Sequence, residues 1–227
     1  MFLSPHRAAR SSVRPGSSPA RAGAHQVRRI TQLAVGLVFY GVGVAVVVVA
    51  GLGVDPWTVL AEGLALRTEI GLGWITNIIG LAVLALWIPL HQKPGVGTVA
   101  NIFVVGTALQ LALPLIPAPQ NLLQSIVMLL AGVALVGVAG GFYIGARFGP
   151  GPRDGLMTGI SARWGWPLWL ARTVVEVTVL AIGWTLGGTV GVGTVVYALA
   201  IGPVSHAALR VFDTRRPRPG AVGTTNG

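Results

Sequence analysis

The sequence predicts an all-α membrane protein: six transmembrane helices in two inverted three-helix repeats, each with a short re-entrant or interfacial helix. Three observations carry that expectation. Hydrophobic residues make up 53% of the 227-residue chain and charged residues 10%, against about 25% charged in a soluble domain; the mean hydropathy is +0.74. Apolar stretches recur at lengths near the roughly 20 residues that cross a hydrocarbon core. The chain also aligns with itself at a single register.

From the N-terminus, residues 1–27 are rich in Arg, Ser, Pro and Ala and hold no acid. Such a segment cannot bury a core and reads as a disordered, basic cytoplasmic tail. Arg28 and Arg29 precede an apolar run too long for a signal-peptide core of about 7–15 residues, and no A-x-A site closes it. It reads as an uncleaved first span, Ile30–Gly51. The other spans are Gly71–Leu90, Gly97–Leu115, Leu122–Ala146, Leu168–Leu186 and Gly193–Val211, with proline or glycine at nearly every boundary. Residues 28–116 form a first membrane repeat and 121–212 a second; 213–227 read as a disordered basic tail.

Charge orients this topology. With a cytoplasmic N-terminus, the inner segments hold Arg28, Arg29, Lys93, Arg147, Arg153, Arg163 and Arg210, and the outer ones Asp55, Glu62, Arg67 and Glu69. By the positive-inside rule both termini are cytoplasmic, in a bacterial plasma membrane. The net charge of +10 then belongs to orientation against the lipid bilayer and its anionic lipid. No aromatic-interleaved basic patch marks a nucleic-acid partner. With no cysteine and no histidine at metal-ligand spacing, no metal and no cofactor are expected.

The internal register is an offset of 96 residues. Gly53 falls on Gly149, Pro56 on Pro152, Gly63 on Gly159 and Arg67 on Arg163, and the GVGTV string at 95–99 recurs at 191–195. Each copy holds an odd number of spans, so the second must start from the opposite side. Inverted repeats of this kind recur among secondary transporters. The best-repeating segments are Val54–Arg67 and Pro150–Arg163, each a short helix opened by proline, with Asp55 placed to cap the first. About a dozen residues is too short to span. Two readings stay open: the helices lie flat at the surface, or they dip from opposite faces and aim their N-termini at an anionic ligand.

The runs Gly53–Leu64 (GVDPWTVLAEGL) and Gly149–Gly159 (GPGPRDGLMTG), with Arg172–Glu176 and Gly187–Thr194, resemble the YczE-like branch of the YitT/YczE group of bacterial membrane proteins. The resemblance covers roughly Arg29 to Val211. It implies a multi-pass membrane protein and adds no defined chemistry, because the group has no established biochemical activity.

Glu176 lies near the middle of the fifth span, four residues after Arg172, and its repeat partner is Gly80. A charged side chain at that depth costs roughly 2.5–3.5 kcal/mol on insertion scales. It is therefore either half of a structural ion pair or a coupling acid. Asn77, Thr98, Asn101, Gln110 and Thr194 suit interhelical hydrogen bonds, and Gly137, Gly141 and Gly145 form a close-packing face within the chain or across a homodimer. The tryptophans near span ends suit interfacial anchoring.

No H-E-x-x-H, G-x-S-x-G or P-loop is present, so an enzyme is not expected. The leading reading is a small-solute transporter or carrier. Asp55, Trp57, Glu62, Arg153 and Asp154 line its pathway, and Arg172 with Glu176 form the coupling or ion-pair site. The alternative is a non-transporting scaffold or accessory protein for a biosynthetic or export complex.

Overall fold

A computed structural model describes residues 19–213. Residues 1–18 and 214–227, most of the two expected tails, lie outside the described residues. Eight α-helices make up the described chain: α1 (Pro19–Ala50), α2 (Pro56–Thr68), α3 (Leu72–Leu86), α4 (Val96–Ala112, continued by a 3-10 turn), α5 (Leu122–Gly145), α6 (Pro152–Trp164), α7 (Leu168–Thr185) and α8 (Val192–Phe212).

Five of these are long and apolar enough to cross a membrane: α1, α4, α5, α7 and α8. A sixth span is reached only if α2 and α3, bent by 115° at their junction, are counted as one. The stretch expected to span at Gly71–Leu90 is helical for 15 residues only. It ends at Leu86, ahead of Pro89, where the pre-proline position disfavours helix. The first helix corrects the sequence reading in the other direction. It begins at Pro19, inside the segment expected to be disordered. Proline loses no hydrogen bond in a first turn, and the Ala and Arg that follow are good helix formers.

Small residues set the packing, as expected where lipid tails are as apolar as the core. At the centre α1 and α5 run antiparallel: Gly36 faces Tyr143, Gly43 faces Val136 and Val47 faces Gly132. Next to them α8 runs parallel to α5, with Val204 on Gly137, Ala208 on Gly141 and Phe212 on Gly145. The glycine face offered to a homodimer is therefore covered by the chain's own α8. Of the two settings expected for that face, within the chain or across a homodimer, the first is the one seen. In the other half α4 runs parallel to α1, with Val105 and Ala108 on Gly41.

The short helices cross over. α2 packs chiefly on α7, and α6 packs on both α3 and α7. Two backbone bonds tie the crossings: Gly97 N donates to Phe148 O at 2.9 Å, and Gly193 N donates to Leu52 O at 2.7 Å. Both partners of the second bond are displaced by 96 from those of the first, with the halves exchanged. Trp74, Trp164, Trp166, Trp169 and Trp184 are exposed on the outer surface, as anchoring requires; Trp57 and Trp87 are buried instead.

Candidate functional site

The loops that tie the crossings also aim α2 and α6. Each helix starts at a proline after a residue of nearly equal backbone angles, Asp55 at φ −65°, ψ 157° and Gly151 at φ −62°, ψ 157°. Their N-termini open on one cavity of about 370 Å³, walled also by α3, α4, α7 and α8 and by tyrosines of α1 and α5. Local chemistry then differs at the two mouths. The Asp55 carboxylate accepts from the backbone N–H of Trp57 and of Thr58 and from the Thr58 hydroxyl. The N-terminus of α2 is thus filled by its own carboxylate and offers little to an outside anion. Gly151 gives α6 no side-chain cap, and the acid at that positive helix end is Asp154, one residue into the first turn beyond Arg153.

Arg153 joins the two mouths. Its guanidinium meets Asp55 Oδ1 at 3.1 Å and lies 5.2 Å from the Trp57 ring centroid, within cation–π range. Trp57 and Arg153 are themselves 96 positions apart, so equivalent residues of the two short helices stack on each other. The Trp57 indole N–H is buried without a hydrogen-bond partner. A buried orphan donor is uncommon and suits an acceptor from water or a ligand.

On α7, Arg172 Nε meets Glu176 Oε1 at 3.0 Å, and both line the cavity. Their side chains are 54% and 32% exposed. The pair faces the cavity mouth and is not sealed inside the fold, as a purely structural lock would be. Asp154 also lines the cavity; among the described residues it forms no side-chain hydrogen bond or ion pair, and the charges of Arg172 and Arg153 act on it through space.

Of the residues expected on a pathway, Asp55, Trp57, Arg153 and Asp154 come together here, with the expected coupling pair Arg172 and Glu176. Glu62 does not. It faces the other side of α2, where its carboxylate accepts from Thr189 N at 2.8 Å and holds the α7–α8 loop. Sequence reasoning missed Tyr40, Tyr143 and Tyr197, which line the cavity near the charged residues. One signal was available: Tyr197 stands 96 positions after Asn101, and both line the cavity. A polar position repeated in an apolar register marks an inward face.

Among the described residues no group of three or more His, Asp or Glu side chains is placed to hold a metal ion. The cavity chemistry is that of charges, phenols and helix ends.

The model of DUF6198, a family of unknown function, matches residues 27–210. The chain belongs to that family. This DUF6198 protein is 37% identical to an uncharacterized protein of Haemophilus influenzae over 82% of its own length and 86% of the relative's. It is 29% identical to the uncharacterized membrane protein YczE of Bacillus subtilis over 81% of its length and 86% of that protein's. It is 22% identical to the uncharacterized protein YyaS of the same organism over 79% of its length and 91% of the relative's. The YczE-like resemblance and the membrane character therefore stand together. No solved structure matches.

Proposed function

We propose that this DUF6198 protein is a non-enzymatic carrier of a small charged solute, built from two inverted repeats whose short helices reach into the bilayer from opposite faces. The observation that carries the reading is the meeting of α2 and α6 at one charged cavity, bridged by Arg153 and Asp55. The repeat reading is supported by the antiparallel α1–α5 pair, by the exchanged bonds at Gly97 and Gly193, and by left-handed caps at Glu69 and Gly165, again 96 apart. Irregular backbone at membrane depth is tolerated where it is buried or lines a cavity, which is the setting of both pre-helix loops. The protein sits in the bacterial plasma membrane with both termini in the cytoplasm, Arg29 bonding the Ala146 and Arg147 carbonyls at that face.

Chemically, Arg153 and the uncapped α6 terminus attract the negative part of a solute, and Asp154 with Glu176 the positive part or a proton. The coupling role falls to Glu176, because it stands mid-span on α7 paired with Arg172, where the first repeat has Gly80. The scaffold alternative has one observation in its favour: only 11% of the α7 span is buried by the rest of the chain, a surface another membrane protein could cover.

The cysteine-free sequence allows a direct test. Asn101→Cys places a thiol on the cavity wall, and reconstituted protein is treated with a membrane-impermeant maleimide from each side. Modification from either side is expected. A thiol that reacts from neither side, while one at Lys93→Cys does, would leave no aqueous pathway and hand the reading to the scaffold.

A further inference from the structure

The two halves of the chain close their cavity walls differently. In the first half, α3 and α4 seal against each other. A Cβ on Gly106 would run into the Asn77 side chain and the Gly73 backbone, and Gly73 N donates to Gln110 Oε1 at 2.9 Å. At the offset of 96 the positions of Gly73 and Gly106 are held by Trp169 on α7 and Gly202 on α8. An indole cannot take the place of Gly73 in so close an interface. Accordingly α7 packs on α2 and not on α8, and a Cβ on Gly202 would meet nothing within 4 Å. What is a seal on one side is a fissure on the other.

Both walls of the fissure reach the cavity, Glu176 and Arg172 from α7 and Ala198 and Gly202 from α8. Glu176 and Gly202 lie near the midpoints of their helices, so the opening sits at mid-bilayer depth. Charged side chains at that depth normally face a bundle interior or a water-filled cavity; here an ion pair stands at a lateral mouth.

We propose that the cavity is loaded sideways from the bilayer, between α7 and α8, by an amphiphile with a cationic head group. This deepens the carrier reading and rests on it. Three carboxylates, Asp55, Asp154 and Glu176, face two guanidiniums, Arg153 and Arg172. Asp154 stands outside both ion pairs, and the lining carries one carboxylate more than it has guanidiniums. A cation neutralises that excess, and the tyrosine rings of the lining add cation–π attraction. The alkyl tail remains in hydrocarbon while the head moves in, so the charge never crosses lipid alone. A purely water-borne solute has no use for a mid-depth fissure.

The test uses two probes of equal tail, a dodecylammonium and a dodecanoate, each with a photoreactive diazirine in the chain, added to proteoliposomes of the full-length protein. Cross-links are mapped by mass spectrometry. The dodecylammonium is expected to mark Ala198 and Gly202, and the dodecanoate to mark them less by about tenfold, a difference of roughly 1.4 kcal/mol. Asp154→Asn should erase that preference, and bridging Thr173→Cys to Gly202→Cys with a short bis-maleimide should abolish the marking. Equal marking by both probes, or marking confined to outer faces of the helices, overturns the proposal. The thiol of Asn101→Cys separates the two levels. If it still reacts with aqueous maleimide while the fissure stays unmarked, the carrier stands and the lateral route falls; if both fail, the carrier falls too.

Discussion

Arg153 is the residue on which the two short helices depend. Its partner Asp55 is 6% exposed at the side chain, and Arg153 itself 28%. Removing one member of such a pair leaves the other charged and poorly solvated, at a cost on the order of 3 kcal/mol. Arg153→Gln is expected to destabilise the protein by about that much, because Asp55 keeps only its own helix N-terminus for company. Asp55→Asn in the same chain should recover part of the loss, since no charge is then stranded. The measurement is a double-mutant cycle on thermal unfolding in detergent, read as the loss of a monodisperse peak. Single losses that merely add would mean that the contact does not couple the two helices. The sequence made both residues candidates. It did not reveal that they meet, because their partnership depends on the crossing of α2 and α6 and not on any local spacing. Glu62 shows the same limit from the other side. It lies on the same short helix as Asp55, yet the helix face it occupies turns it toward Thr189.

At the scale of elements, the pre-helix loops do most of the positioning. Gly53 and Gly149 hold φ at +107° and +124°, a region where a side chain is strained. Each also lies against the opposite half's GVGTV turn: a Cβ at Gly53 would meet Gly191 and Thr194, and one at Gly149 would meet Gly95 and Thr98. Gly53→Ala and Gly149→Ala are each expected to cost more than about 1 kcal/mol. The same melting assay checks this, and similar losses at both are required. Free tolerance at one site would mean that the two loops are not docked alike. These loops were legible in the sequence because glycine and proline punctuate strongly and recur at a fixed offset. The ends of α1 and α3 were not. Helix continuation past Arg28 into the basic segment rests on Ala and Arg propensity, which hydropathy does not weigh. The early stop of α3 at Leu86 precedes Pro89 by three residues, inside an apolar run whose hydropathy continues past it.

For the whole molecule, the consequence of the crossings is that neither half is complete. Residues 28–116 supply α2, whose main partner is α7; residues 121–212 supply α6, which packs on α3 as well as on α7 of its own half. The largest interface in the bundle, α1 on α5, also joins the halves. A half alone would expose the glycine-lined faces of α1 or α5 and leave Arg153 or Asp55 unpaired within the bilayer. Cutting the chain in the connection between the halves, at 117–120, removes no described hydrogen bond between α1–α4 and α5–α8. The two fragments made together are therefore expected to assemble, and an affinity tag on one should retain the other through detergent exchange. Made separately, each should aggregate on size-exclusion chromatography. If either fragment alone elutes as a stable monodisperse species, the halves are independent domains, and a cavity formed only by their union would lose its structural basis. If they associate and Arg153→Gln in one fragment weakens the retention of the other, the bridge between the short helices is part of what holds the molecule together.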